Sequence, residues 1–451
     1  MGVYSKLFRG ILFPIMEISQ GTKIQSYLKW LNKTQWWRPK ELEELQNKKL
    51  RALIKHAYEN VPYYHRLFRK LNLKPEDIKT KEDLQKLPLL TKEEIRKNFS
   101  DLLAKDFKKW QPKQNATSGS TGEPLKYYTT IDSISMGWAV GYRAWGWAGY
   151  KIGDKLVKLG GSSLVPSSLT FKKRLRYCLE RVLPLPSTDM TEETLDRYAL
   201  SISKFKPEYI RGYPSSLFIL AKFLAKSDYN IQPKAIFTTA ETLLPSHRRF
   251  IQDVFNCDVL DGYGCRDGSA NAMECVEHSG YHMASELVIM EFIKDGEHVS
   301  PGEAGEIVAT DLHNYAMPFI RYAVGDVGVP SDEQCSCGRG LPLVKSIEGR
   351  VINMIKLKDG TLLSGLPFTD IFEEIEYKKE GSIRKYQIVQ ENKDLIVVKI
   401  VRGENFTDDD MKKIIEFIRN IVKDLEIKIE FVDEIPSTKS GKRLFVVSKV
   451  V

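Results

Sequence analysis

The chain has 451 residues, 42% hydrophobic and 28% charged, with 68 basic against 59 acidic side chains and a formal net charge of +9. That length exceeds one ordinary domain and suits two unequal ones with a sizeable buried core. No low-complexity tract or fixed-period repeat is present, which excludes disordered, fibrous and solenoid classes. The lysines are scattered through predicted helices rather than gathered in one stripe, so nothing prompts a nucleic-acid partner. Six cysteines in a chain of this size, without a signal-like start, predict a reduced, cytoplasmic setting rather than a disulfide framework.

The opening stretch from Val3 to Met16 is apolar but too short to cross a bilayer, and Arg9 and Pro14 interrupt it. It lacks a small-residue cleavage site. A helix packed on the body of the protein is expected, with peripheral contact to a membrane surface as the sharper alternative. From Pro39 to about Phe68 apolar positions recur at helical spacing, and Asn60-Val-Pro breaks the run. Residues 1–110 therefore predict a helical lead-in. After Asn115, strand-like runs at Lys155, Tyr209 and Ala235 alternate with helix-like segments over 192–204 and 215–224. This alternation predicts an α/β fold, with residues 111–346 as the core of the large domain. Between Glu286 and Asp311 two apolar runs separated by turn residues predict an antiparallel β subdomain. Residues 347–451 predict a small C-terminal α+β lid domain, with an amphipathic helix over 407–425.

Two constellations carry chemistry. Thr117-Ser-Gly-Ser-Thr-Gly-Glu-Pro crowds hydroxyls and glycines into one loop, whose amide and hydroxyl donors suit a polyphosphate. A Walker loop would end in Gly-Lys-Ser/Thr and lead into a helix. Here strand-like Leu125-Lys-Tyr-Tyr follows, so a hairpin is expected, the bland alternative being an ordinary Ser/Gly turn. Separately, Cys335 and Cys337 at C-x-C spacing, with Cys275 and His282 on a distant segment, offer the four ligands of a closed tetrahedral zinc site. His278, at C-x2-H spacing from Cys275, competes with His282, and four unrelated residues are the alternative. Trp138, Tyr142 and Trp145 recur at helical spacing, which more often marks core than pocket.

Five segments in order carry a resemblance. Residues 117–124 resemble the phosphate-binding loop of the adenylate-forming superfamily, and Tyr263-Gly-Cys-Arg-Asp resembles its Tyr-Gly-x-Thr-Glu segment. Arg321-Tyr-Ala-Val-Gly-Asp is similar to its Tyr/Arg-x-x-Gly-Asp segment, Glu348-Gly-Arg to the Gly-Arg at the domain junction, and Pro436-Ser-Thr-Lys-Ser-Gly-Lys to the terminal lysine motif. Val61-Pro-Tyr-Tyr, Leu87-Pro-Leu-Leu-Thr-Lys, Gly212-Tyr-Pro-Ser-Ser and Cys335-Ser-Cys-Gly-Arg further resemble the capsule-biosynthesis branch of the phenylacetate–CoA ligase family.

The resemblance implies ATP-dependent activation of a carboxylic acid as an acyl-adenylate. Transfer to CoA, or to an amine or hydroxyl on a sugar or carrier, would follow, as a role in surface polysaccharide synthesis suggests. A nucleotidyl transferase acting on another acceptor and a non-catalytic member are the rival classes. By this resemblance Thr117, Ser118, Gly119, Ser120, Thr121 and Gly122 hold the phosphates, Tyr263 stacks on adenine beside Gly264, and Asp326 accepts the ribose hydroxyls. Arg350 contacts ribose or phosphate, Asp267 holds Mg²⁺, and Lys442 offsets charge on the reacting phosphate and carboxylate. Tyr213, Ala240, Glu241 and Gly262 flank predicted strand ends, where α/β folds bind ligands, and are expected to line the acid pocket. The family's relatives also carry zinc sites of the Cys/His kind. Four departures stand out: Asp267 replaces Glu, Arg266 replaces Thr, Glu123 stands where many relatives have Lys, and Ile352 stands where many have the hinge Asp.

Overall fold

A computed structural model describes residues 3–117, 124–162, 164–166, 169–265, 267–350, 354–358, 362–363, 365, 367–379, 381–422, 425–436 and 444–450. Ser118, Gly119, Ser120, Thr121, Gly122, Glu123, Arg266, Ile352 and Lys442 lie outside the described residues. The N-terminal region is helical, with helices over 3–20, Ile24–Thr34, Pro39–Asn60 and Pro62–Lys70. Pro39 and Pro62 open their helices, where a missing N–H costs nothing and the fixed φ is already helical. The Glu41 carboxylate accepts the Arg38 backbone N–H at 2.9 Å, closing the start of the third helix.

A hairpin of β1 (Lys113–Ala116) and β2 (Lys126–Thr129) brackets the Ser/Gly loop, as its sequence predicts. Then come β3 (Leu156–Gly160), β4 (Val182–Pro186), β5 (Tyr209–Gly212), β6 (Ala235–Thr238) and β7 (Asp258–Leu260). They form a parallel sheet in the order β4-β3-β5-β6-β7. Alternate residues serve its two faces. Val157, Leu159, Ile210 and Ile236 pack against the helices Glu192–Phe205, Pro214–Leu224 and Pro245–Phe255. Leu156, Tyr209 and Phe237 face the other way, against Trp145 and Tyr150. In the helix Ile131–Trp147, Trp145 is buried as the core reading expects, whereas Trp138 stays 38% exposed. The strand β4 is absent from the sequence expectation because Pro184 and Pro186 argue against a strand. It exists because it is an edge, where prolines forfeit no ladder bond on the open side.

An antiparallel sheet follows, made of β8 (Gly262–Gly264), β9 (Asn271–Glu274), β10 (Tyr281–Met283), β11 (Val288–Lys294), β12 (Glu297–His298), β13 (Gly305–Asp311), β14 (Tyr322–Ser331) and β15 (Leu343–Arg350). Its order is β12-β11-β13-β14-β15-β10-β9-β8. Beyond it lie a short pair, β16 (Ile355–Lys356) with β17 (Leu362–Leu363), and a mixed sheet of β18 (Ile383–Gln390), β19 (Leu395–Arg402), β20 (Glu426–Phe431) and β21 (Val446–Ser448). The helices Pro367–Lys378 and Asp408–Val422 supply Phe368, Phe372, Ile414 and Ile418 to a separate core under this last sheet.

One ion pair lies in the middle of the large body. Arg143 donates to Glu286 at 2.7 Å with both side chains at most 1% exposed, and Thr34 donates to the same oxygen at 2.6 Å. Breaking such a pair strands a charge in an apolar interior. Arg143→Ala is expected to lower stability by about 3–5 kcal/mol, and a double change of Arg143→Met with Glu286→Leu to recover most of it, both read by urea unfolding. Equal midpoints for parent and Arg143→Ala would mean that water already reaches the site.

Candidate active site and metal centre

The candidate site forms where β7 hands over to β8. Gly262 is closely hemmed in there: an added Cβ would stand 2.5 Å from Met273 Sδ, which would have to move, and 3.3 Å from the Thr238 carbonyl oxygen. The next residue, Tyr263, donates its hydroxyl to Asp326 Oδ2 at 2.9 Å. Asp326 sits on β14, and three strands lie between β14 and β8 in the sheet order, so the sheet curls until its edge strand meets its middle. Across the β14–β15 ladder Asp326 is paired with Arg350, whose Nε lies 3.6 Å from Oδ1. Burial pushes the Asp326 carboxyl above its usual range, while Arg350 and the Tyr263 hydroxyl pull it back. Burial likewise raises the Tyr263 phenol well above its ordinary value, so it remains a neutral donor.

Beside this trio Asp267 accepts a hydrogen bond from the Tyr322 hydroxyl at 2.5 Å and from the Cys265 thiol at 2.7 Å. Burial and the neighbouring Asp267 raise Cys265 well above the usual thiol range, which keeps it protonated and donating. Gly264 lies on the same strand as Tyr263. Thr117, the described end of the Ser/Gly loop, closes the hairpin: its N–H meets the Leu125 carbonyl at 3.0 Å and its hydroxyl accepts the Leu125 N–H at 2.9 Å.

The residues expected to line the acid pocket cluster around the ends of β3, β5 and β6. Tyr213 is fully buried, its N–H on the Leu159 carbonyl at 3.1 Å and its ring over Gly160. Ala240 holds φ at 72°, a left-handed conformation that a Cβ-bearing residue keeps only under constraint and that recurs at functional sites. Glu241 accepts the Ser215 N–H at 3.1 Å, placing its carboxylate at the N-terminus of the helix Pro214–Leu224.

Sequence reasoning assigned no role to Lys92, Tyr322 or Cys265. Leu90 bridges to Tyr322 and donates its N–H to the Arg321 carbonyl at 2.8 Å, so the Leu87-to-Lys92 segment lies along the Val-Gly-Asp turn. Lys92 reaches the Val324 carbonyl at 3.4 Å and adds positive charge near Asp326. Its motif was legible; its position beside Asp326 required the fold.

The cysteine constellation also converges. Cys275 follows β9, His282 lies on β10, and Cys335 and Cys337 lie in the turn between β14 and β15. The four ligand atoms all lie within 4.8 Å of one another. Cys275 Sγ is 3.7 Å from Cys335 Sγ, and His282 Nε2 is 3.4 Å from Cys275 Sγ and 3.5 Å from Cys337 Sγ. A tetrahedral zinc with Zn–S of about 2.3 Å and Zn–N of about 2.0 Å implies S···S near 3.8 Å and S···N near 3.5 Å, so the donor set fits that ion. Burial, with Arg339 and Arg143 nearby, pushes His282 down to about 4, leaving the neutral imidazole that a metal needs. The competing His278 is turned elsewhere, its Nδ1 3.2 Å from Arg248 and 3.5 Å from Glu274.

The chain is 26% identical over 420 residues to Protein CapK of Staphylococcus aureus, covering 91% of this chain and 90% of that one. It is 30% identical over 297 residues to the phenylacetate-coenzyme A ligase of Escherichia coli K12, covering 64% of this chain and 67% of the relative. The chain belongs to the phenylacetate–CoA ligase family. Residues 355–449 match the CapK C-terminal domain family. A crystal structure of 2-hydroxyisobutyryl-CoA ligase in its postadenylation state has the same fold, with a TM-score of 0.71 at 17% identity over 90% of this chain and 89% of that one. The same enzyme in its thioesterification state gives 0.59. This phenylacetate–CoA ligase family member is therefore an AMP-forming ligase by family and an α/β protein by fold.

For the metal centre, elemental analysis of protein purified without chelator should find about one zinc per chain. Cys335→Ser should lose the metal and melt at lower temperature, while His278→Ala should keep both. Zinc retained in Cys335→Ser would put the ligands elsewhere.

Proposed function

We propose that this chain binds ATP and a carboxylic acid at the junction of its large body and the C-terminal α+β region, and forms an acyl-adenylate with release of pyrophosphate. The observation that carries the reading is the Tyr263–Asp326–Arg350 cluster, an aromatic ring, an acceptor-only carboxylate and a guanidinium held together at the carboxyl end of a parallel sheet. In the reaction a carboxylate oxygen of the acid attacks the α-phosphorus, the bond to the bridging oxygen breaks, and pyrophosphate leaves with the electron pair. Such a step asks for alignment and charge stabilisation rather than a side-chain base.

In this reading Asp326 accepts both ribose hydroxyls, Tyr263 lies along the adenine, and Arg350 stands at the ribose or α-phosphate. Residues 117–122 cradle the β- and γ-phosphates, and Tyr213, Ala240, Glu241 and Gly262 form the wall against the acid. Asp267, fixed by two donors, would hold Mg²⁺, which supplies charge neutralisation on the polyphosphate when bound. Lys442 delivers its ammonium to the transferring phosphate. Zinc at Cys275, His282, Cys335 and Cys337 would be structural, since four protein ligands leave no position for substrate.

The acyl group then passes to an acceptor whose nucleophile attacks the adenylate carbonyl and expels AMP. CoA is the acceptor named for the related ligases. An amine or hydroxyl on a sugar or carrier is the second reading, which rests on the resemblance of the chain's motifs to the capsule-biosynthesis branch. We place the enzyme in the cytoplasm, with at most peripheral membrane contact through its N-terminal segment.

Pyrophosphate exchange over a panel of acids tests the first half-reaction, and exchange with no acid present would replace it with nucleotidyl transfer. Lys442→Ala should lower exchange by about 10²-fold or more with ATP affinity nearly intact, because its contacts form chiefly in the transition state. Asp326→Ala should instead weaken ATP binding by about 10-fold or more in calorimetric titration, since its contacts are made in the ground state as well. Unchanged affinity would make the Val-Gly-Asp turn structural.

A further inference from the structure

The most apolar part of the described surface is remote in kind from the active site. Of the 14 large hydrophobic side chains that are exposed among the described residues, seven sit on two helices, 3–20 and Phe171–Glu180. On the first, Leu7, Ile11, Ile15 and Ile18 are 47%, 52%, 58% and 81% exposed and recur at spacings of four, four and three. On the second, Phe171 is 83% and Leu175 51% exposed. The helices touch: the Tyr4 hydroxyl donates to the Leu179 carbonyl at 2.8 Å, and Arg176 Nη1 donates to Gln20 at 3.2 Å.

The phasing of the first helix maintains this outward row. Phe8 and Phe13, five residues apart, both face the core and touch at 5.9 Å between ring centroids. An unbroken α-helix would turn a residue five positions on away from the face of the first. A π-turn over Phe8–Leu12 absorbs the extra residue, with the Phe13 N–H donating to the Phe8 carbonyl. Pro14, which cannot donate, falls just after it. Both phenylalanines are thereby anchored while Leu7, Ile11, Ile15 and Ile18 stay outside.

Charge distinguishes the candidate occupants of this face. Lys6, Lys23, Lys172, Lys173 and Arg174 are all exposed on or beside the two helices. The acidic residues there are Glu17, which is buried, and Glu180, which is paired with Arg176 at 2.7 Å. A second copy of this chain packed face to face would bring like charges together with no exposed acid to answer them. Apolar side chains on helices flanked by one-sided positive charge match a bilayer surface that offers acyl chains behind anionic headgroups.

We propose that the helices 3–20 and Phe171–Glu180 form a docking face for an anionic lipid membrane, on which Ile11, Ile15, Ile18, Phe171 and Leu175 insert shallowly while the flanking lysines and arginines meet lipid phosphates. The inference goes beyond the acid-activating reading and does not depend on it.

Cosedimentation of the full chain with phosphatidylcholine vesicles containing about one third phosphatidylglycerol, against pure phosphatidylcholine vesicles, is the test. The expected result is an affinity at least about 10-fold higher for the anionic vesicles, falling steeply as salt rises. The double change Ile15→Asp with Ile18→Asp, at exposed positions, should lower it by about 10-fold or more while circular dichroism and pyrophosphate exchange stay at parental values. Lys172→Glu with Lys173→Glu should reduce binding to anionic vesicles alone. Equal binding to both vesicle types, no binding to either, or indifference to both double changes would overturn the proposal. So would a dimer in sedimentation velocity that the isoleucine changes dissolve, since the face would then belong to a second copy. Loss of exchange in the parent protein would refute the catalytic reading and leave the vesicle result standing.

Discussion

The candidate active site and the proposed metal centre both depend on the buried carboxylate of Asp261. It occupies the single residue between β7 and β8, where a parallel sheet gives way to an antiparallel one. Thr238, at the end of β6, and Tyr281, on β10, both donate to it, the second at 2.8 Å. Its own N–H donates to Glu274 at 2.7 Å, and Glu274 is gripped by two nitrogens of Arg248 at 2.8 and 2.9 Å. Burial and the adjacent Glu274 raise the Asp261 carboxyl, whereas Arg248 and His278 hold Glu274 below its usual range against the pull of desolvation. A buried network of this kind is stabilising only when every member is satisfied, so it fixes one geometry at the junction. Gly262 and Tyr263 follow directly from that geometry on one side. Cys275, the residue after Glu274, follows on the other.

This constraint explains why the proposed zinc would matter although it would not touch substrate. Cys335 and Cys337 belong to the turn joining β14, which carries Asp326, to β15, which carries Arg350. A metal tying that turn to Cys275 and His282 would hold β15 against β10 at the turn end of the ladder. The Asp326–Arg350 pair closes the other end of the same two strands. Register between β14 and β15 already shifts at two irregularities, so a restraint at the turn limits the slippage that would move Arg350 off Asp326.

Much of the α/β fold was legible because its signals are local. The breaks at Pro39 and Pro62, the alternation in β3, β5 and β6, and the amphipathic helix Asp408–Val422 are written in consecutive residues. The misses are positions where tertiary context overrules a local rule. Two prolines hide β4, and the helix Phe171–Glu180, whose Phe171, Leu175 and Leu179 fall at helical spacing, was passed over and buries no residue fully. The site divides in the same way. The metal quartet was legible from spacing, but choosing His282 over His278 needed the positive φ of 50° at His278 and its contact with Glu274. The Tyr263–Asp326 hydrogen bond joins residues 63 apart through the curl of a sheet, which no local pattern encodes. The roles given to residues 117–122 and Lys442 rest on family resemblance alone.

The C-terminal region meets the large body through a contact that holds the two together only weakly. Pro436 and Leu444, where the described chain enters and leaves the segment carrying Lys442, line a cleft of about 230 Å³ together with Phe218, His247 and Tyr386. An ion pair between Lys222 and Glu376 at 3.4 Å spans it, with side chains 37% and 17% exposed. A solvent-touched pair contributes about 1 kcal/mol or less, so it orients the two parts without locking them. His247, stacked on Phe218 at 3.9 Å within the large body, comes to 6.4 Å from Phe445 of the C-terminal region between ring centroids. Ile352, which stands where many relatives have the hinge Asp, lies outside the described residues. The C-terminal region keeps a separate core of its own under β18 to β21. Each part therefore has a core that does not depend on the other.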